Sequence, residues 1–269
     1  MGRTGLNSVE FSIISHAAWA PGLDTDVAWM GWAQQPFFID HVQNGRTEPE
    51  VAAMPAMLRR RAGFIGKMAL EVAYRCLAGR TDVPVVFCSR HGECQRSVAL
   101  LTDLVRDEPL SPTTFSLSVH NAAAGLLSIG RHDQANHCAL SGGDSGVEYG
   151  VIEACSLLAD GASEVLIVVY DGILPEVFLQ YQDNSEQPFA WAWLISSAEN
   201  HNDVFSLSWG ADTTDADGLS NLQTVEQKAR QPAGLDVLRF QLNCHSQQAK
   251  HNELIRIVDH RRWHWRHHG

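Results

Sequence analysis

Residues 138–150, CALSGGDSGVEYG, have the pattern of an apolar strand that turns sharply into a helix. Strand-to-helix turns of this kind often hold a catalytic nucleophile, because the N-terminus of a helix stabilises negative charge. The turn itself, residues 141–146, contains serine, glycine and aspartate but no cysteine. The pattern therefore predicts the geometry of a nucleophile site without the thiol that would normally act there.

Two hydroxyl groups and one nearby thiol are the other candidate nucleophiles. Ser141 and Ser145 flank the turn, but the motif is not the GxSxG pattern of serine hydrolases, and Ser145 beside Asp144 more simply predicts a helix N-cap. Cys94 follows His91 in the segment RHGECQR, where a helix-start cysteine is the plainer interpretation. A stand-alone hydrolase or acyltransferase using Ser145 or Cys94 is one alternative function, and a scaffold module is another.

The six cysteines predict neither disulfides nor a metal centre. They form no CxxC pair, and the spacing of Cys88 and Cys94 with His91 between them is a poor match to a zinc site. We therefore predict reduced thiols, no metal and no cofactor.

Composition limits the partners and the location of the chain. The net charge of -11 argues against nucleic-acid binding, which needs a basic face. No apolar run approaches the roughly 20 residues that span a bilayer, and the N-terminus lacks a signal-peptide pattern. We expect a cytoplasmic protein whose residues 1–269 form one domain.

Alternating strand and helix patterns predict an α/β fold with a mostly parallel mixed sheet covered by helices. Strands are predicted at residues 9–18, 83–89, 135–142, 164–172, 189–197 and 204–210. Helices are predicted at residues 56–78, 93–106 and from Ser145 to about Leu158. Residues 110–130 predict an extended segment followed by a helix of small residues. Residues 235–246 predict a strand and a turn. The basic end, DHRRWHWRHHG, predicts a solvated tail whose tryptophans pack back onto the domain, and a contact with phosphate or a partner is the alternative.

The order of these segments resembles that of the β-ketoacyl synthases of the thiolase superfamily. SPTTFSLSVHNAAAGLLSI precedes the strand NHCALSGG, DSGVE opens the next helix, and ASEVLIVVYDG follows as a strand. LRRRAGFIGKMALEVAYRCLAG resembles the first long helix of that family. The resemblance covers residues 9–198 and implies a thiolase-like fold, with residues 199–269 as a shortened remnant of the second half that carries extra strands and the basic tail.

The departures from the family pattern imply an inactive subunit. The resemblance places the catalytic cysteine at Gly143, or at Asp144 if the alignment shifts by one residue, and neither side chain can attack a thioester. The family's HGTGT-like histidine motif is also absent. The chain is similar to chain length factors, the silent partners of ketosynthases, and most similar to the short ones of aryl polyene pathways.

This resemblance implies both a partner and an interface. The strand before the turn would pair antiparallel with its counterpart in an active ketosynthase, through residues Asn136, His137, Cys138, Ala139, Leu140 and Ser141. An exposed strand edge favours such pairing. The side chains expected to line or cap the acyl tunnel between the subunits are Phe115, Leu117, Val119 and His120.

The implied role is to stabilise the ketosynthase and to shape its acyl tunnel. The pair would extend polyene, polyketide or fatty-acid-like chains carried by an acyl carrier protein. Because this chain is acidic, the carrier protein is expected to dock mainly on the partner subunit.

Overall fold

The computed structural model describes residues 7–40, 48–182, 184–199, 202–212, 230–245 and 252–269. Its strands are β1 Asn7–Trp19, β2 Val85–Cys88, β3 His137–Leu140, β4 Val165–Asp171, β5 Phe189–Ser197, β6 Val204–Ala211, β7 Glu253–Val258 and β8 Arg261–His268. Its helices are α1 Asp26–Gln34, α2 Ala56–Arg59, α3 Phe64–Leu77, α4 Cys94–Val105, α5 Pro112–Ser116, α6 Ala122–Arg131, α7 Gly146–Ala159 and α8 Ala233–Cys244.

The eight strands form one mixed sheet in the order β3-β2-β4-β5-β1-β6-β8-β7. Strand β2 runs parallel to both β3 and β4, whereas the other five neighbouring pairs are antiparallel. The predicted mixed α/β fold is confirmed, but the prediction that the sheet is mostly parallel is wrong. Parallel neighbours require a crossover, and helices provide one only between β2, β3 and β4.

Helices cover both faces of the sheet and create two hydrophobic cores. Helices α3 and α6 pack on one face, while α1, α7 and α8 pack on the other. Strand β4 shows why the sheet needs both layers: Val165, Ile167 and Val169 enter one core, and Leu166, Val168 and Tyr170 enter the other. A strand buried on both sides reads as a continuous apolar run in sequence.

The C-terminal segments differ most from the predictions. Residues 233–244 form helix α8 rather than a strand, and nine of its twelve residues are buried. The basic tail forms strand β8, which lies between β6 and β7 and turns Trp263 and Trp265 into the core. The tryptophans therefore pack inside the domain, as expected, but as part of the sheet. Among the described residues, no helix is long and apolar enough to cross a membrane.

Candidate functional site

The turn after β3 has the shape expected of a nucleophile site. Residues Gly143–Ser145 form one turn of 3-10 helix that leads into α7. The backbone of Gly143 has a φ of +55°, a left-handed conformation that glycine adopts readily. A Cβ atom added at Gly143 would meet no other atom within 4 Å, whereas one at Gly142 would lie 2.9 Å from the Cα of Gly146. Position 143 thus has room for a side chain, but carries none.

Asp144, the other residue that could align with the catalytic cysteine, anchors the turn. Its carboxylate lies 3.3 Å from the Nη1 atom of Arg90. Its backbone carbonyl accepts a hydrogen bond of 2.8 Å from the guanidinium of Arg256, which also pairs with the buried carboxylate of Glu148. The indole N–H of Trp265 donates to Glu148 at 3.2 Å. Asp144 therefore joins the turn to β7 and to the loop after β2, and Glu148 extends this network to β8.

Ser145 is buried, and its hydroxyl is used for packing. The Oγ atom accepts a hydrogen bond of 3.0 Å from the indole N–H of Trp263 on β8. Ser145 is the N-cap residue of α7, as predicted, but its side chain accepts no hydrogen bond from a backbone N–H of that helix. In the described part of the chain, no histidine hydrogen-bonds to this hydroxyl, and a serine without a base is a weak nucleophile.

Cys94 is also a poor nucleophile. Burial raises the pKa of its thiol, and the negative charge of Glu186 raises it further. The Nε2 atom of His91 lies 3.5 Å from a carboxylate oxygen of Glu186, so this imidazole is paired with a carboxylate. A thiol held protonated beside a carboxylate lacks the thiolate character that acyl transfer requires.

The space beneath Gly143 is almost completely filled. The cavity there has a volume of about 20 Å³, and residues 232–234, where α8 begins, line its wall. Gly234 allows this close approach, because a Cβ atom there would lie 2.5 Å from the ring of Phe189. A cavity of this size holds one water molecule. An acyl chain has no room beneath the turn in this subunit.

A buried carboxyl group borders this cavity and was missed in the sequence. Asp171 ends β4, and its Oδ1 atom accepts hydrogen bonds from the hydroxyl of Ser89 at 2.8 Å and the backbone N–H of Arg90 at 2.9 Å. Burial raises the pKa of Asp171 to about 6, against the opposing effect of these hydrogen bonds. Polar residues follow the buried parallel strands β2 and β4 in the sequence, and the ends of these neighbouring strands meet at one edge of the sheet. This pattern is the signal by which the sequence indicates Asp171.

Asp171→Asn is expected to stabilise the protein above pH 6 by on the order of 2 kcal/mol. The folded protein keeps this proton up to about pH 6, whereas an unfolded chain loses it near the ordinary value of 3.8, so the free energy of unfolding falls as pH rises through this range. Asparagine keeps the Oδ1 acceptor and removes the charge. Urea unfolding at about pH 4 and pH 7.5 measures the change.

The exposed Asp160, at the end of α7, supplies the matched control as Asp160→Asn. This control removes an exposed carboxylate and is expected to change stability by less than about 0.5 kcal/mol at either pH. A pH-independent effect of Asp171→Asn would show that the buried carboxyl does not set the pH dependence.

Strand β3, the predicted partner-binding strand, is an edge of the sheet. One side pairs with β2 over four residues, from Val85 opposite His137 to Cys88 opposite Leu140. The carbonyls of Asn136 and Leu140 accept hydrogen bonds from the β2 side. Since successive residues of a strand point their backbone groups to opposite sides, His137 and Ala139 direct theirs away from β2. No described strand pairs with that side.

The predicted tunnel residues divide into two exposed and two half-buried side chains. Phe115, on α5, is 65% exposed, and Val119 is also exposed. Leu117 packs against the core beneath α3 and α6. A ring nitrogen of His120 lies 2.9 Å from the carbonyl oxygen of Ser89, so His120 secures the segment to the loop after β2.

An exposed apolar surface lies next to the 113–120 segment. Helix α4 packs beside α5, and the hydroxyl of Ser97 donates to the carbonyl of Ser118 at 3.2 Å. The outer face of α4 exposes Leu101, Leu104 and Val105, the last of them to 87%. The loop after β2 joins this region to β3, because the hydroxyl of Ser141 donates to the carbonyl of Arg90 at 2.8 Å. Contiguous exposed apolar side chains of this kind mark interaction surfaces.

A family model described as the N-terminal domain of β-ketoacyl synthases matches residues 29–266. No curated protein sequence matches the chain at a significant level. The chain is similar to a solved structure of the ketosynthase ApeO in complex with its chain length factor ApeC from Xenorhabdus doucetiae. That match has a TM-score of 0.77 and 24% identity, and it covers 96% of this chain and 99% of that chain.

Two further solved structures are similar. The ishigamide ketosynthase/chain length factor matches with a TM-score of 0.69 and 11% identity, over 97% of this chain and 99% of that chain. A β-ketoacyl synthase from Burkholderia phymatum STM815 matches with a TM-score of 0.53 and 12% identity, over 76% of this chain and 65% of that chain. At these identities the similarities establish the fold.

Proposed function

Because the chain belongs to the family of β-ketoacyl synthase N-terminal domains, we propose that it is a chain length factor, a subunit without catalysis that pairs with an active ketosynthase. The main support for this proposal is the turn after β3, which has no nucleophile and only a small cavity. Gly143 stands where the family resemblance places the catalytic cysteine, and the cavity beneath it measures about 20 Å³. A subunit with neither a nucleophile nor an acyl pocket at this turn depends on a partner for the condensation chemistry.

The lengths of the similar structures support this role. The two structures that match over 99% of their chains are both described as pairs of a ketosynthase and a chain length factor. The Burkholderia synthase matches over only 65% of its chain. This chain therefore has the length of the matched chains in the two complexes.

In the proposed heterodimer, the outward backbone groups of His137 and Ala139 pair with an antiparallel strand of the ketosynthase, so that residues 136–141 join the two sheets. This pairing would satisfy the free edge of β3 and remove an aggregation hazard. The apolar face of α4 would be covered by the same partner. Both features support one interface on this side of the molecule.

The exposed ring of Phe115 and the side chain of Val119 face the proposed partner, where they would close the end of the acyl tunnel. Leu117 and His120 hold the segment in place from the inside. We propose that this segment limits the length of a polyene or polyketide chain, in a pathway similar to aryl polyene synthesis in the cytoplasm. With a net charge of -11, the chain would leave most carrier-protein docking to its partner.

We also propose that residues 1–269 act as one domain. Strands β6, β8 and β7 come from the remnant at 199–269, and they extend the same sheet that residues 9–198 begin. Helix α8 from the remnant fills the space beneath Gly143. In this proposal, residues 199–269 support the turn that lacks a nucleophile, and they do not supply catalytic histidines.

Co-purification tests the proposed function. A tagged chain expressed with the ketosynthase encoded beside it is expected to give a one-to-one complex by native mass spectrometry. The complex should condense malonyl units onto acyl carrier protein, and replacing the partner's nucleophile should abolish all activity. Activity of this chain by itself, or a chain that ignores the ketosynthase, would contradict the proposal.

A further inference from the structure

Three side chains with metal-binding groups meet where β6 begins and β8 ends, at the opposite end of the strands from the turn. The carboxylate of Asp203 lies 2.8 Å from the Nε2 atom of His245 and also contacts the Nε2 atom of His267. One ligand atom from each residue lies within 4.8 Å of the other two. We propose that Asp203, His245 and His267 form a Zn²⁺ site, independent of the function proposed above.

The three ligands come from separate elements that the fold holds together. Asp203 precedes β6, His245 follows α8, and His267 lies in β8. Phe205 and His267 are paired across β6 and β8, and their rings lie 4.7 Å apart. The carbonyl of Asp203 accepts a hydrogen bond of 2.8 Å from Ser12 on β1. Two of the three ligands are thus positioned by strand pairing and packing before any metal binds.

The donor set suits zinc. Two imidazole nitrogens and one carboxylate oxygen are common Zn²⁺ ligands, and water completes the tetrahedron. Tetrahedral zinc separates such ligand atoms by about 3.3 Å. The three ligand atoms here already lie within 4.8 Å of one another, so side-chain rotation can bring them to one ion. On binding, each Nε2 proton leaves to solvent and the metal takes its place between nitrogen and oxygen.

Charge and access both favour a cation here. His245 is the C-cap of α8, where unpaired carbonyl groups carry partial negative charge. The side chains of Asp203 and His245 are 46% and 44% exposed, whereas His267 is 8% exposed. The site is therefore anchored on its inner side and open to solvent on its outer side. A bound ion would clamp the end of α8 to β6 and β8.

The test is zinc binding by the full chain after removal of metals with a chelator. We expect about one Zn²⁺ per chain after dialysis, measured by mass spectrometry of the metal, and a visible absorption spectrum of tetrahedral Co²⁺ on substitution. Zn²⁺ at about 100 times its dissociation constant should raise the melting temperature by about 5 °C or more. His245→Gln, at an exposed position, should weaken binding about 100-fold.

His264→Gln is the matched control, because His264 lies on the same strand and pairs with Glu253 outside the cluster. This control is expected to bind Zn²⁺ as the parent chain does. Asp203→Asn should lose the Co²⁺ spectrum even if some affinity survives. A parent chain that retains no Zn²⁺, or equal weakening by His245→Gln and His264→Gln, would overturn the proposal.

Discussion

Ala139→Pro is expected to weaken the complex with the ketosynthase about 100-fold, or by about 2.7 kcal/mol. Proline removes the backbone N–H of Ala139, which points away from β2 and would bond to the partner strand. The hydrogen bonds between β2 and β3 do not use this N–H, so the chain should still fold. A partner carbonyl would be left buried without a donor, which costs about 1–3 kcal/mol in addition to the lost bond.

Pull-down of the ketosynthase by the tagged chain measures this effect. Ala139→Ser keeps the N–H and nearly the same volume, and it should recover the ketosynthase as well as the parent chain does. Recovery of equal amounts by the proline and serine variants would mean that β3 is not the strand that joins the two sheets.

Phe115→Ala is expected to lengthen the product by at least one extension unit. The substitution removes an exposed ring that would end the tunnel, while Leu117 and His120 still hold the segment. Stability should change by less than about 0.5 kcal/mol, because the ring is largely in solvent in the isolated chain. Mass spectrometry of the acyl carrier protein products gives the length distribution directly.

Ser116→Ala is the neighbouring control on the same short helix, and it should leave the products unchanged. Phe115→Trp places a larger ring at the same position and is expected to shorten the product. An identical length distribution in all three variants would show that α5 lies outside the tunnel, without bearing on whether the heterodimer forms.

Local pattern was sufficient to predict most strands but not their directions. The apolar run of β4 and the mixed run of β1 both lie where the sequence predicts them. The antiparallel pairing of β1 with β5 and β6 depends on contacts across about 190 residues, which no local pattern encodes. Helix α8 was missed because nine of its twelve residues are buried, which reduces its polar face to Asp236, Arg239 and Asn243, spaced at i, i+3 and i+7 within a mostly apolar run.

The candidate site was predictable in outline only. The strand and the glycine-rich turn follow from residues 136–146 alone, whereas the vacant position at Gly143 and the free edge of the strand were implied by the family resemblance. The position of residues 232–234 beneath Gly143 could not be predicted in this way, since these residues lie far along the chain. Their close packing against Phe189 depends on the absence of a Cβ atom at Gly234. The same holds for Ser145 and Trp263, whose hydrogen bond spans 118 residues.

The tryptophans give the protein a built-in optical reporter. All eight lie in β1, α1, β5, β6 and β8, and seven of them are buried. None belongs to β3, α4 or α5. Loss of the core would therefore shift the fluorescence of the isolated chain to longer wavelength, whereas substitutions at the β3 edge or on α5 would leave the spectrum in place. Emission and binding thus report on different elements of the fold, and a variant with unchanged emission that fails to bind has lost its interface while keeping its fold.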